Sequence, residues 1–302
     1  MFPHIHRARQ VFSEEGGFEL IRAVVRYLVS RVKSFRKNVQ THRLRRREGD
    51  VVEREVNGYR MILDLTKGGI CSSIALNGVY DEETTGRFSR LLDELQSEHD
   101  DILVLDVGAN IGYYTLLEAD ILGATAHIHA FEPSPENVEL LNANIERNEF
   151  DTLVTVHQCS VGSKSGSGEL KLASKPNSHF MSEVNKPRNT VQTIAVDVVT
   201  VDGMISETCP ESRTPVVVRM DVEGYERHVF EGMSELFTAD RPAVVMVELH
   251  PMLSNEELDE LLSTLALSGF ELVYSEDGAS SYDDVQVEVA DTVNIIARRG
   301  VS

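Results

Sequence analysis

The stretch that most constrains the fold of this chain is a short apolar strand-like run followed by a glycine turn. Residues 102–107 are Ile-Leu-Val-Leu-Asp-Val, a Gly-x-x-x-Gly turn runs from Gly108 to Gly112, and helix-compatible sequence resumes at Tyr113. Such an apolar run is typical of a strand that is buried on both faces of a parallel sheet. A strand, a tight glycine turn and a helix N-terminus together predict a nucleotide site at the carboxyl edge of an open α/β sheet.

The charge beside this turn indicates which nucleotide binds. The G-x-G-x-x-G spacing of dinucleotide sites is absent from the turn, and Asp106 precedes it. A phosphate there is disfavoured, because like charges about 4 Å apart cost roughly 4 kcal/mol at an effective dielectric constant near 20. S-adenosylmethionine instead brings an ammonium group that Asp106 attracts, and a carboxylate that can face the helix N-terminus. Asn110 adds amide donors and acceptors. The sequence therefore favours this sulfonium nucleoside.

A second acid follows the next predicted strand. Residues 125–131 predict that strand, and Glu132 and Pro133 come directly after it. Ser134 and Pro135 then have the residue types of a helix N-cap and a first helical position. In folds of this kind an acid at this strand tip binds ribose hydroxyls. Each such charge-assisted hydrogen bond is worth roughly 1.5–3 kcal/mol.

Polar residues also follow the predicted fourth and fifth strands, where chemistry is expected. Asp221 and Glu223 follow residues 216–218, and His250 follows residues 243–247. Methyl transfer requires alignment of an acceptor oxygen with a sulfonium-bound methyl group, and removal of a proton where the acceptor is a hydroxyl. Asp221 is placed for either task, and His250 has the intrinsic pKa of a neutral-pH base.

Other roles stay open for these residues. Glu223 is either catalytic or a plain acid in the first turn of a helix predicted over residues 225–237, where the helix dipole favours it. His250 is either a base or a cap on its strand. Asp221, Glu248 and His250 are also an alternative set of ligands for Mg²⁺, although no ligand spacing specifies such a site.

Four segments taken together resemble the FkbM-type S-adenosylmethionine-dependent methyltransferases: residues 106–112, 131–133, 219–224 and 247–250. The resemblance covers roughly residues 50–300. It implies an α/β fold with a Rossmann-like, seven-stranded class I methyltransferase sheet whose last strand is antiparallel, with helices on both faces. It also implies O-methylation, often of a sugar or another secondary-metabolite hydroxyl. The cofactor-binding residues that we expect on this basis are Asp106, Gly108, Ala109, Asn110, Gly112, Tyr113, Glu132, Pro133 and Ser160. Arg219 stands where the family commonly has lysine, which bears on specificity if that residue touches the acceptor.

The first 48 residues differ in charge from the rest of the chain. They are rich in arginine, whereas the whole chain has a formal net charge of −20. Apolar residues from Ile21 to Phe35 recur at helical spacing, which predicts a basic amphipathic helix. Arginine interrupts it too often for it to span a bilayer. We expect residues 16–47 either to pack on the acidic domain or to lie on an anionic membrane surface.

Two further segments complete the predicted organisation. Residues 49–101 form a lead-in: Asn57-Gly58 predicts a β-hairpin between residues 51–56 and 59–65, and a helix follows it. Residues 102–300 form the methyltransferase domain. Within it, residues 163–190 predict a hairpin and a mobile loop that serves as a substrate lid.

Composition excludes several classes of protein. The net charge of −20 over 302 residues and a pI near 4.9 disfavour nonspecific nucleic-acid binding, so no nucleic-acid partner is expected. The acid excess with scarce lysine resembles proteins adapted to high salt. The three cysteines, Cys71, Cys159 and Cys209, are far apart and lack a CxxC pair, which disfavours a zinc site or disulfide framework. No signal peptide is apparent. We expect a cytoplasmic enzyme, with or without peripheral contact at the inner face of the membrane.

The sequence as a whole predicts an S-adenosylmethionine-dependent O-methyltransferase. The expected acceptor is a hydroxyl, or a hexuronate carboxyl, on a glycan, a lipid-linked sugar or a related small molecule. Three alternatives remain: a metal-assisted small-molecule O-methyltransferase, a dehydrogenase on the same fold, and a non-catalytic module that retains the nucleotide fold. Binding of NAD(H) without S-adenosylhomocysteine would favour the dehydrogenase. Cofactor uptake without turnover would favour the binding module.

Overall fold

The computed structural model describes residues 32, 35–173, 179–184, 190–209, 213–287 and 292–301. The chain divides into two units, Met1–Asp50 and Val51–Ser302. In the first unit, residues 35–48 form helix α1. Most of the amphipathic pattern predicted over residues 16–47 lies outside the described residues. Among the helices that are described, none is both long enough and apolar enough to cross a membrane.

The second unit alternates strands and helices over most of its length. Its strands are β1 (Val51–Val56), β2 (Tyr59–Asp64), β3 (Ile102–Val107), β4 (Ala126–Phe131), β5 (Val154–His157), β6 (Ser160–Val161), β7 (Gly166–Ala173), β8 (Phe180–Met181), β9 (Thr190–Val199), β10 (Val216–Met220), β11 (Ala243–Leu249), β12 (Glu271–Ser275) and β13 (Val293–Arg299). Its helices are α2 (Gly69–Asn77), α3 (Glu82–Glu98), α4 (Tyr113–Leu122), α5 (Pro135–Arg147), α6 (Val201–Thr208), α7 (Glu226–Glu231), α8 (Ser234–Thr238) and α9 (Asn255–Leu267).

The central sheet confirms the predicted fold class. It has seven strands in the order β12-β13-β11-β10-β3-β4-β5. The five strands from β11 to β5 are parallel, and β13 pairs antiparallel with both β11 and β12. All six residues of β3 are buried, as its apolar run predicted for a strand covered on both faces. The carboxyl ends of β3, β4 and β10 therefore meet at one edge, where the predicted site residues follow.

The predicted hairpin forms and packs beside the glycine turn. Asn57 and Gly58 have φ angles of 51° and 99°, so both adopt the left-handed conformation that a type I′ turn requires. Helix α5 packs along the free edge of β2. There the Asn144 side chain of α5 accepts a hydrogen bond from the Ile62 N–H at 2.7 Å. The same side chain donates to the carbonyl of Ile111 at 2.8 Å. One asparagine thus joins the hairpin to the turn after β3.

The segment predicted as a hairpin and lid contributes a second sheet. Strands β7 and β9 form an antiparallel hairpin, and with β6 and β8 they make a four-stranded sheet in the order β6-β9-β7-β8. The pairing of β8 brings Phe180 and Met181 into the buried core. Residues 174–178 and 185–189, where the predicted mobile loop falls, lie outside the described residues.

The prediction of a single helix over residues 225–237 is wrong, because two short helices, α7 and α8, occupy this stretch. They are separated at Gly232, where a Cβ atom would lie 2.0 Å from the carbonyl oxygen of Gly162. This close approach of two backbones explains why a glycine stands at the break. Glu223 also precedes the helix, with a left-handed φ of 57°, because α7 begins only at Glu226.

Candidate active site

A cleft opens at the carboxyl ends of β3, β4 and β10, and the second sheet forms its opposite wall. The space between its walls, including the solvent-open mouth, is about 620 Å³. The described residues that line it are Val107, Gly108, Asn110, Phe131, Glu132, Pro133, Asn137, Cys159, Ser160, Val161, Leu170, His179, Phe180, Met181, Asp221, Val222, Glu223 and Tyr225.

The glycine turn closes directly on the end of the neighbouring strand. Gly108 has a φ of 80°, and a Cβ atom there would lie 2.0 Å from the carbonyl oxygen of Asp221. The backbone N–H groups of Gly108 and Ala109 both donate to the carbonyl of Phe131, at 2.9 and 3.0 Å. Only glycine satisfies both the left-handed φ and this approach. The turn is thereby fixed between β4 and β10, with its backbone open to the cleft.

Glu132 is held in place by three donors. Its Oε2 accepts the Asn110 N–H at 3.0 Å, and its Oε1 accepts the Ser134 N–H at 2.9 Å and the Asn137 side-chain amide at 3.3 Å. Burial raises the pKa of Glu132 to about 7, although these donors oppose the shift. The carboxylate is therefore oriented toward the cleft before any ligand arrives.

One buried atom shows that this half of the cleft is suited to a polar ligand. The Oδ1 atom of Asn110 is buried, and no described residue donates a hydrogen bond to it. A buried acceptor without a partner is costly, and a ligand donor in the cleft would satisfy it. With the open turn at Gly108 and the carboxylate of Glu132, these residues match the hydroxyl and amine donors of a nucleoside that carries an amino acid.

The pKa of Glu132 predicts how cofactor affinity varies with pH. A carboxylate accepts hydrogen bonds about twice as strongly as a neutral group, so we expect affinity for S-adenosylhomocysteine to fall as the pH drops through about 7. Calorimetric titrations at pH 6, 7 and 8 measure this dependence. In Glu132→Gln the dependence should flatten and the affinity should be low throughout. An equal pH dependence in both proteins would contradict the assignment.

Asp106 lies in a different setting from the one expected. It is fully buried and is not among the described residues that line the cleft. Its Oδ2 accepts the Thr115 hydroxyl at 2.5 Å, and its Oδ1 accepts from the Arg219 guanidinium at 3.2 Å. A direct contact with the ammonium group of a ligand stays a prediction. In the described structure the charge of Asp106 is balanced by Arg219.

The remaining residues expected to bind the cofactor divide into two groups. Gly108, Asn110, Glu132, Pro133 and Ser160 line the cleft. Ala109, Gly112 and Tyr113 are not among its described lining residues. Ala109 and Gly112 belong to the turn, and Tyr113 begins α4. A Cβ atom on Gly112 would lie 2.8 Å from a methyl carbon of Leu141, and the Tyr113 hydroxyl accepts the Tyr80 N–H at 3.3 Å.

Sequence reasoning missed most of the apolar lining. Phe180, Met181 and Tyr225 face the cleft, but nothing in their local sequence indicates a ligand. Phe180 and Met181 reach it because β8 pairs with β7. The sequence predicted a hairpin in this segment, but not the register that turns these two side chains toward the cleft.

The predicted catalytic residues do converge, where the chain leaves β10 and β11. One ligand-type atom from each of Asp221, Glu223 and His250 lies within 4.8 Å of the others. The Nε2 atom of His250 is 3.8 Å from the Oδ1 atom of Asp221. The metal alternative predicted from sequence contained Glu248, whereas the cluster contains Glu223 in its place.

A fourth acid, Glu226, orients the histidine and was not predicted from the sequence. It is fully buried, and its Oε1 atom lies 2.7 Å from the Nδ1 atom of His250. The same oxygen accepts the Gly224 N–H at 2.9 Å. Its position at the start of α7, after the turn at Glu223, turns the carboxylate back toward β11. A buried carboxylate beside a histidine fixes the tautomer of the ring and its orientation.

The charges of this cluster shift its pKa values. Burial lowers the pKa of His250, but Glu226, Asp221 and Glu248 outweigh it and raise that pKa to about 10. Burial also raises the pKa of Asp221, against the effects of Arg219 and His250. Burial and Asp221 raise the pKa of Glu248 to about 8. His250 is therefore protonated at neutral pH and is not a free base in this state, contrary to its intrinsic pKa.

Replacing Glu226 should reveal its influence on the histidine. In Glu226→Gln the imidazole loses its nearest carboxylate, so we expect the pKa of His250 to fall well below about 10. A titration of the imidazole resonances by NMR measures it. Glu231→Gln removes a charge from the other end of α7 and should leave the His250 titration unchanged. Identical His250 titrations in wild type and Glu226→Gln would contradict the proposed orientation.

Arg219 connects the glycine turn to Asp221. Its guanidinium donates to the Gly108 carbonyl at 3.0 Å and to the Oδ2 atom of Asp221 at 3.4 Å, as well as to Asp106. The guanidinium carbon also lies 4.4 Å from the centre of the Tyr114 ring, which is close enough for a cation–π contact. Because the residue is only 5% exposed, it serves as a structural bridge between the turn and Asp221.

The strand order, the turn after the first parallel strand and the acid after the second define a class I S-adenosylmethionine-dependent methyltransferase. More particularly, the chain belongs to the FkbM methyltransferase family, whose domain, described as "Methyltransferase FkbM domain", matches residues 106–272. The resemblance seen in the four sequence segments is thus confirmed, and the protein is an enzyme that uses S-adenosylmethionine.

Two relatives and one solved structure show what the chain is similar to. The chain is 32% identical over 183 residues to the hexuronic acid methyltransferase AglP of Haloferax volcanii, which covers 59% of this chain and 68% of that protein. It is 26% identical over 152 residues to methyltransferase 1 of Beauveria bassiana, covering 45% of this chain and 60% of that protein. Among solved structures, an O-methyltransferase from Bacillus cereus in complex with S-adenosylhomocysteine aligns with a TM-score of 0.43 and 14% identity, over 73% of this chain and 81% of that one.

Proposed function

We propose that this enzyme methylates an oxygen atom of a sugar acceptor, with a hydroxyl as the acceptor that the site favours. The observation that carries the proposal is the cluster of Asp221, Glu223 and His250, of which Asp221 and Glu223 line the cleft. A buried carboxylate with a raised pKa is a stronger base than a solvated one. Hydroxyl methylation requires such a base at the point of attack.

The residues of the cleft have two functions, cofactor binding and proton removal from the acceptor. Gly108, Asn110 and Glu132 would hold S-adenosylmethionine, which supplies an electrophilic methyl group. Asp221 receives the proton of the acceptor hydroxyl, and Arg219 donates a hydrogen bond to the second oxygen, Oδ2, of that carboxylate. The protonated His250 and its partner Glu226 keep Asp221 oriented. Apolar side chains of the second sheet exclude water from the space between.

A hexuronate carboxyl is the second candidate acceptor. It is supported by the 32% identity to a relative described as a hexuronic acid methyltransferase. A carboxylate needs no base, because it is already ionised at neutral pH. Its own negative charge, however, would face Asp221 and Glu223, and like charges at such distances repel. This acceptor therefore requires a positive charge between itself and the cluster.

Product chemistry distinguishes the two acceptors. The full-length protein is incubated with S-adenosylmethionine carrying a labelled methyl group and with glycans that contain hexuronate, or with the same glycans after reduction of the carboxyls. We expect a labelled product that survives mild alkali, as a methyl ether does. Label that mild alkali releases as methanol, and that is absent from reduced glycans, identifies a carboxyl ester instead. Cofactor binding without product from any acceptor would favour a non-catalytic module. Glu132→Ala is the control for contaminating activity.

A further inference from the structure

We propose that Asp221, Glu223 and His250 form a binding site for one divalent cation, of the hard type exemplified by Mn²⁺ and Mg²⁺. This site is the acceptor end of the cleft, so the inference deepens the proposed function and rests on it for the chemical role of the cation. The presence of the site itself can be tested without any methyl transfer.

The spacing of the three side chains fits a shared ion. Their ligand-type atoms lie within 4.8 Å of one another, and the Nε2 atom of His250 is 3.8 Å from the Oδ1 atom of Asp221. Metal–oxygen and metal–nitrogen bonds are about 2.0–2.6 Å long, so one ion between these atoms contacts all three after small side-chain rotations. The three residues come from two turns, after β10 and after β11, which places the ion at the cleft wall.

The facing atoms of His250 and Asp221 are oriented toward each other without a hydrogen bond between them. His250 is 5% exposed, and Glu226 occupies its Nδ1 atom at 2.7 Å, which leaves Nε2 as the nitrogen that faces Asp221. Within the described chain, no group donates a hydrogen bond to the buried Oδ1 atom of Asp221. A histidine whose other nitrogen is bound to a carboxylate is the usual arrangement behind a metal ligand. Glu226 has that role here.

The charge balance also favours a cation. The acids Asp221 and Glu223 lie close to each other and to His250, and the Glu226 carboxylate is 2.7 Å from the Nδ1 atom of His250. The nearest guanidinium, that of Arg219, is shared with Asp106. A divalent ion bound between these side chains would add positive charge next to the acids. Two carboxylates with a single imidazole suit Mn²⁺ or Mg²⁺ better than a thiolate-preferring metal.

The bound cation would explain how either acceptor is accommodated. A cation at this point lowers the pKa of a coordinated hydroxyl, which assists methylation of an alcohol. It also screens a hexuronate carboxylate from Asp221 and Glu223, which removes the repulsion described above. Two neighbouring oxygens of a sugar, such as a carboxylate and an adjacent hydroxyl, form a chelate that fixes which oxygen is presented.

Direct Mn²⁺ binding tests the site. The full-length protein is stripped with chelator, passed into 0.15 M KCl without S-adenosylmethionine, and titrated with Mn²⁺ while free ion is followed by electron paramagnetic resonance. We expect one saturable site above a weak background from the acidic surface. Asp221→Asn and Glu223→Gln should each weaken it by at least roughly tenfold, the loss typical even of groups behind a ligand. Glu139→Gln removes an exposed acid from α5 and should not change the affinity.

The outcomes separate the inference from the proposed function. Absence of a saturable site, or equal affinity in Glu223→Gln and Glu139→Gln, would overturn the inference. A larger loss in Glu248→Gln than in Glu223→Gln would overturn the assigned ligands. Full methyl transfer by stripped protein that binds no Mn²⁺ leaves the proposed function standing without the cation. Saturable Mn²⁺ binding without any methyl transfer supports the site and counts against the proposed function.

Discussion

Gly108→Ala is expected to reduce affinity for S-adenosylhomocysteine by at least about 100-fold, which corresponds to about 2.8 kcal/mol. The added methyl carbon would lie 2.0 Å from the carbonyl oxygen of Asp221, and backbone rather than a flexible side chain is the obstacle. Relief requires movement of the turn away from β10, which also displaces Asn110 from its hydrogen bond to Glu132. Isothermal titration of the purified variant measures the loss.

Gly78→Ala is a matched control for this variant. Gly78 has a φ of 78°, close to the 80° of Gly108, but nothing lies within 4 Å of a Cβ atom built there. Both substitutions therefore carry the same left-handed strain of roughly 1–2 kcal/mol, and only Gly108→Ala carries the collision. Similar S-adenosylhomocysteine affinities in the two variants would show that the close approach to Asp221 has no bearing on the cofactor.

Asp221→Asn is expected to lower turnover by about 10²–10⁴-fold, the range typical for loss of a general base. The amide keeps the shape of the side chain but accepts no proton, and it also weakens any cation at the cluster. Affinity for S-adenosylhomocysteine should stay within a few-fold of wild type, because no described hydrogen bond joins the Asp221 side chain to Asn110 or Glu132. Initial rates of methyl transfer and calorimetric titration separate the two effects.

The control for this variant is Asp93→Asn, the same substitution on the exposed face of α3, which should leave both turnover and affinity unchanged. Wild-type turnover in Asp221→Asn would remove the carboxylate from the mechanism and leave the acceptor to be aligned by other groups. Parallel loss of turnover and cofactor affinity would instead indicate that the link through Arg219 carries the effect to the glycine turn.

Hydrogen bonds from Arg219 join the cofactor turn to the acceptor carboxylate. Its guanidinium contacts Asp106, the Gly108 carbonyl and Asp221, so the cofactor turn and the acceptor carboxylate share one buried cation. Lysine carries a single ammonium group in place of the planar fork of arginine. A lysine at this position would hold these three groups less rigidly.

Much of this arrangement was predictable because it depends on local patterns. The apolar run of β3, the hairpin turn at Asn57-Gly58 and the Ser134-Pro135 helix start are all found where they were expected. The helix break at Gly232 was not predicted. A glycine is required there because its backbone packs against Gly162, which is remote in sequence. Burial and ion pairing likewise changed the expected setting of Asp106 and the protonation of His250.

The sequence alone determined the sheet, the cofactor turn and the residue types at each strand tip. Strand burial, turn formation and family motifs all depend on residues that are neighbours in the sequence. Only the tertiary structure decided which of those side chains meet. It placed Glu226 behind His250, put Glu223 rather than Glu248 beside Asp221 and His250, and turned Asp106 toward Arg219. The reason is physical: charge balance and desolvation depend on distances between segments far apart in the chain, and these distances exist only after folding.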